Sequence, residues 1–175
     1  IPLALAGFAY IINEAVDRIM LKHLTFKASL SEMTSETALT YAESQVGIYS
    51  ASYKLAMLIT IFLQAYRYAA EPFFFAQAKS ADRNRTYVKV MNYFVAVVFL
   101  FFLFVSLNID IFKYFIPNKA YWEGLQIIPI LLLANAWSGV YINQSIWYKL
   151  SGQTRFGAYI AIGGAAVTIT LNFIF

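Results

Sequence analysis

Cysteine is absent from the 175 residues, which removes disulfides, iron–sulfur clusters and thiol nucleophiles. Histidine occurs once, at His23. A lone imidazole with no H-x-x-H pair and no acidic cluster beside it makes no metal site, and a hydrogen-bonded interfacial histidine is the plainer reading. Charge is scarce as well: 13% of residues are Asp, Glu, Lys or Arg, against about 25% in an ordinary soluble domain. Also missing are a glycine-rich phosphate loop, a Ser-His-Asp arrangement and a basic stripe with interleaved aromatics. No enzyme, no cofactor and no nucleic-acid partner is therefore expected. What is present is apolar: 61% hydrophobic and 18% aromatic residues, with a mean hydropathy of +0.62. That balance leaves too little polar surface for water and predicts an all-α integral membrane protein.

A helix needs about 20 mainly apolar residues to cross a bilayer. Five stretches meet or approach that length, at 1–22, 50–77, 88–109, 124–147 and 156–175. No regular period-two alternation argues for barrel strands. The expectation is a polytopic bundle of five spans forming one transmembrane lobe. The chain opens on Ile1 and ends at Phe175 within an apolar run, without a secretory leader, so the reading is of a lobe truncated at both ends. The connection at 23–45 reads as a polar loop with room for a short helix. The loop at 110–123 mixes Tyr, Phe and Trp with Lys113 and Lys119, a composition that suits the headgroup layer. Lys79, Arg83, Arg85, Lys89, Lys149 and Arg155 lie in 78–89 and 148–155, against Lys22, Lys27, Lys113 and Lys119 on the other side. Six basic residues against four place 78–89 and 148–155 in the cytoplasm. The same asymmetry accounts for the net charge of +4 without a polyanionic partner.

The charges inside these spans carry the functional question. Lys54 and Lys79 bracket 24 residues, about 36 Å of helix, and can snorkel at its two ends, which sets Arg67 near mid-span. Thr60, Gln64, Arg67 and Glu71 follow i, i+4, i+7, i+11 and share one face, with Leu58, Phe62, Ala65 and Ala69 on another. An arginine at mid-bilayer costs about 2.5–3.5 kcal/mol on insertion scales. Two readings stand: an Arg67–Glu71 ion pair that pins helices together, or an anion-binding group lining a wet cavity. Pro72 frees the Tyr68 carbonyl and predicts a kink. In the first span Glu14, with Asp17 nearby, is the candidate for a proton or cation site, and Arg18 for an interfacial anion contact. Polar and small residues of the fourth span, and the ridge Gly157, Ala161 and Ala165 of the fifth, read as helix packing.

The runs "VDRIML", "VGIYSASYKLAMLITIFLQAYRYAAEPFFFAQ" and "IIPILLLANAWSGVYINQSIWYKLSGQTRFG" resemble the polysaccharide flippases, the O-antigen and lipopolysaccharide transporters, of the multidrug/oligosaccharidyl-lipid/polysaccharide exporter superfamily. The resemblance implies two helical lobes facing a central cavity, with this chain forming most of the second. It implies a cargo of undecaprenyl-pyrophosphate-linked oligosaccharide, flipped across the bacterial cytoplasmic membrane by alternating access and driven, as an antiporter, by a proton or sodium ion. Arg67, Gln64, Glu71, Lys54 and Arg18 would then meet the pyrophosphate head among membrane lipids, since guanidinium offers a planar fork matched to phosphate. Glu14 and Asp17 would be the coupling-ion candidates. Two other classes remain open: a membrane-embedded glycan polymerase or ligase, which would want a larger external loop than 23–45, and a multidrug cation exporter, which would want an acidic cavity.

Overall fold

The computed structural model describes the backbone of residues 2–174 and, within it, the side chains of Ile11 and of residues 15–171. Seven α-helices and two 3-10 segments occur among the described residues, with no strand. They are α1 (Pro2–Ser29), α2 (Ser35–Ala56), α3 (Leu58–Gln77), α4 (Arg83–Leu107), α5 (Ile109–Phe112), α6 (Ile128–Leu150) and α7 (Arg155–Ile174), with 3-10 turns at Lys113–Phe115 and Lys119–Ile127. The chain divides into two compact units, Ile1–Gly47 with Ser151–Phe175, and Ile48–Leu150.

The all-helical expectation holds, while the five spans are supported only in part. Among the described residues, two helical stretches are long and apolar enough to cross a membrane, Arg83–Leu107 and Lys119–Leu150. A third is reached only if α2 and α3, bent by 40° at Met57, are counted as one. The described part of α7, Arg155–Leu171, falls short of that length. Residues 23–45 need correction, because α1 runs to Ser29 and α2 starts at Ser35, leaving a connection of a few residues. Thr34 sits just ahead of α2, its carbonyl taking the Ala38 amide at 2.9 Å and its hydroxyl meeting that of Thr37 at 2.8 Å. With Glu36 in the first turn, this is a polar helix start, and polarity alone had been read as loop.

In the first unit α1 and α7 pack along each other. Gly157 is buried and Ala161 and Ala165 are half-buried, so the small-residue side of α7 is its less exposed side. Lys22 Nζ meets Glu43 Oε1 at 2.8 Å on the surface of this unit.

The second unit is built on α3, α4 and α6. Ile59, Leu63, Ala70 and Phe74 are the buried residues of α3, a 3.6-period stripe that packs with Phe94 and Val98 of α4 and Leu132, Ala136 and Ile146 of α6. Helices α3 and α6 run parallel: Gly139 lies against Leu63, and Asn143 donates to the Tyr66 hydroxyl at 2.7 Å. Helix α4 runs antiparallel to α3, with Phe62 near Phe101, Tyr66 near Phe94 and Phe74 near Tyr87.

A 40° bend lies at Met57, between α2 and α3. Helix α3 continues through Pro72 to Gln77. At Met57 one carbonyl accepts from the Thr60 amide at 2.9 Å, the Ile61 amide at 3.3 Å and the Thr60 hydroxyl at 2.6 Å. A threonine hydroxyl bonding back to the preceding turn competes with the helical ladder and bends it. Thr60 keeps its place on the face of Gln64, Arg67 and Glu71, but its hydroxyl is taken up by this backbone bond. At the other end of α3 the Tyr87 hydroxyl donates to the Phe74 carbonyl at 2.9 Å and Arg83 Nη1 to the Ala78 carbonyl at 3.2 Å. These satisfy acceptors that a helix end leaves open.

Candidate functional site

Three polar residues of α3 each lie one position after a residue of its packed side: Gln64 after the buried Leu63, Arg67 after the half-buried Tyr66, Glu71 after the buried Ala70. One residue is about 100° of helix rotation, so the polar stripe flanks the packed face. Gln64 is exposed one turn before Arg67. Arg67 Nε stands 3.5 Å from Glu71 Oε1.

That pair has a third member. Lys149, in the last turn of α6, places Nζ 2.5 Å from the same Glu71 oxygen. The side chains of Glu71 and Lys149 are 30% and 23% exposed, and that of Arg67 is 50% exposed. One carboxylate thus serves two cations from two helices, and the cluster carries a net positive charge. The longer contact goes to Arg67, whose side chain is half exposed. The arrangement can hold a diphosphate or similar anion by exchange with the Glu71 carboxylate.

Arg67 stands at the middle of α3 (Leu58–Gln77), with Glu71 one turn nearer its end. Phe99 of α4 and Trp137 of α6 meet edge to face, and Phe62 of α3 stacks with Phe101. Lys149 is 12 residues beyond Trp137, or about 18 Å. Glu71 is nine residues and Arg67 five residues beyond Phe62, about 13 and 7 Å. The Arg67 side chain reaches from there toward Glu71.

The remaining sequence candidates lie elsewhere. Lys54 is exposed in the last turn of α2, on the far side of the Met57 break from Arg67. Asp17 and Arg18 are half-buried on α1 and belong to the first unit. The Glu14 side chain lies outside the described residues. Residues 83–89 and 148–150, counted as loop, are helical in α4 and α6. Among the described residues no group of three or more His, Asp or Glu is placed to hold a metal ion.

Lys149 is the residue the sequence reading missed. It had been counted only as a basic loop residue that orients the chain. Its signal was a lysine closing an apolar run, where a cation suits the helix C-terminus. Its partner, 78 residues away, leaves no mark in local pattern. A comparison of the chain with protein-family models, with curated proteins and with solved structures finds no match in any of the three.

Proposed function

We propose that the chain works in a bacterial cytoplasmic membrane as part of a transporter that flips an undecaprenyl-pyrophosphate-linked oligosaccharide. The reading is supported by one observation above all: Arg67 and Lys149 converge on the single carboxylate of Glu71 beside an apolar packed face. Such a cluster is expensive in hydrocarbon, and intramembrane ionisable groups mark pathways or partners. Two cations to one acid suit an anionic cargo better than a cationic drug. Arginine matches phosphate as a fork and lysine as a point charge. In this mechanism Glu71 keeps the cations positioned while the site is empty. The pyrophosphate then takes over the Arg67 fork and Lys149, and the lipid tail stays in the bilayer. Glu14 and Asp17 remain the residues proposed for coupling to a proton or sodium gradient, so Glu14→Gln should abolish gradient dependence while the protein stays in the membrane.

The test is complementation of a strain lacking its own copy, with export of lipid-linked glycan as the readout and protein level in the membrane as the control. Arg67→Ala, Lys149→Met and Arg67→Lys should each lower export, the last because the fork is lost while the charge is kept. Full export by Arg67→Ala sinks its proposed role. The competing reading is an interhelical clamp, favoured by the closer contact of Glu71 with Lys149. It predicts that Glu71→Met with Lys149→Met, which removes both charges, restores what Lys149→Met alone has lost.

A further inference from the structure

The stretch 108–123 is not used by the anion site and lies at the opposite end of the second unit. Helix α4 ends where Asn108 turns back on it, with both its amide and its side-chain Nδ2 donating to the Phe104 carbonyl at 3.2 and 2.8 Å. Leu107, the last residue of α4, is 81% exposed, and in the two short turns that follow the rings of Tyr114 and Phe115 are 72% and 71% exposed. Beneath them Trp122 is half-buried and donates its indole N–H to the Ile116 carbonyl at 3.2 Å. Lys113 Nζ lies 5.3 Å from the Trp122 ring centre and 5.7 Å from that of Tyr114, and Lys119 Nζ lies 5.9 Å from Trp122. Lys113 also pairs with Asp110 at 2.8 Å, and that hydrogen bond holds its ammonium above the ordinary lysine range.

We propose that residues 108–123 seat in the headgroup layer of a zwitterionic phospholipid bilayer, fixing one edge of the unit. The proposal takes the membrane-spanning reading as its base. Three features carry it. First, the position fits: Leu107 closes the 25-residue apolar helix Arg83–Leu107, long enough to cross a hydrocarbon core about 30 Å thick, so residues 108–123 begin where that core ends. Second, the exposed rings continue the outward apolar face of α4, where Leu100, Leu103 and Phe104 are exposed. Amphipathic rings of this kind collect at headgroup level. Third, the charges complement a zwitterion: Lys113 and Lys119 face the phosphate, while Asp110 and Glu123 balance them and meet the amine. The segment therefore docks without needing anionic lipid.

The experiment places single tryptophans in the full chain, reconstituted in phosphatidylcholine vesicles whose acyl chains carry bromine either near the headgroup or near the chain terminus. One variant keeps only Trp137. The other has Phe115→Trp with the three native tryptophans changed to Phe, an exposed position that tolerates the exchange. The reporter at position 115 should lose more emission to bromine near the headgroup, and Trp137 more to bromine at the chain terminus. If Trp137 behaves so while position 115 is silent to both lipids, protein covers the segment and the anchor is overturned, although the span stands. If position 115 is quenched best by the terminal bromine, the segment lies in the core and the anchor is again overturned. If Trp137 is silent to both, the membrane-spanning reading fails first. Added anionic lipid should leave the pattern unchanged, and a requirement for it would refute the zwitterion match.

Discussion

Gly124 is where a single added methyl should do the most damage. It lies buried in the 3-10 segment Lys119–Ile127, against the end of α2. A Cβ there would run into the Ser52 hydroxyl, sit 2.6 Å from Ile48 Cγ2 and 3.3 Å from the Ile48 carbonyl oxygen. The last of these is backbone and cannot move aside. Ser52 cannot yield either, since it is fully buried and its hydroxyl reaches the Ile48 carbonyl at 2.9 Å and the Gly124 carbonyl at 3.0 Å. Overpacking of this kind costs about 1–3 kcal/mol, and a lost interhelical hydrogen bond in a membrane protein adds about 0.6–1.7 kcal/mol. The helix preference of Ala over Gly returns about 0.5–1 kcal/mol. Gly124→Ala should therefore destabilise by about 1–3 kcal/mol. Ser52→Ala removes the obstructing oxygen and should cost only about 0.6 kcal/mol. In that background Gly124→Ala has chiefly the mobile Ile48 methyl to displace, so its cost should drop by about 1 kcal/mol or more. The assay is equilibrium unfolding of the full chain in mixed micelles, run as a double-mutant cycle. An equal cost in both backgrounds, or a Gly124→Ala protein within about 0.5 kcal/mol of the parent, would refute the close approach of α2 to this segment.

Other outcomes follow from the same packing. Gly139→Ala meets the Leu63 side chain, whose Cγ would lie 3.2 Å away. A leucine end can rotate, so the same unfolding assay should show a smaller loss than at Gly124, and Leu63→Ala should abolish it. Tyr66→Phe strands the buried Asn143 amide and should lower stability by about 0.6–1.7 kcal/mol, while leaving glycan export intact if Tyr66 only packs. A cycle of Glu71→Gln with Lys149→Met should give a coupling larger than Glu71→Gln with Arg67→Ala, about 1 kcal/mol for the first, because Lys149 is nearer and joins two helices. Equal couplings would mean that Arg67 shares the clamp.

Helix content was legible because runs such as Tyr93–Leu107 admit little else, and the polar stripe of α3 was legible because Gln64, Arg67 and Glu71 keep helical spacing. Residues 23–45 were misread because Ser, Thr and Glu serve a helix start and a loop alike. Only the placement of Thr34 ahead of Glu36 and the following alanines separates the two. A kink was expected at Pro72 because a missing amide donor is visible in the sequence. The bend at Met57 depends on where the Thr60 hydroxyl points, which no residue type specifies.

Depth was the least legible quantity, and its consequence reaches the function. Bracketing α3 by Lys54 and Lys79 assumes that both lysines belong to one straight span. The bend at Met57 breaks that straight span between Lys54 and Arg67, so the two lysines no longer set its midpoint. Contacts supply a different placement: Glu71 of α3 meets Lys149 in the last turn of α6, toward the end of the unit where Tyr87 meets Phe74. In the proposed membrane-spanning arrangement Lys149, closing α6, would be the first of the three charges to meet a phosphate from the headgroup layer, with Glu71 and Arg67 behind it. In the proposed transport cycle the site is therefore an entrance that selects the head, and the glycan must be accommodated deeper in, along the side of α3 that carries Gln64.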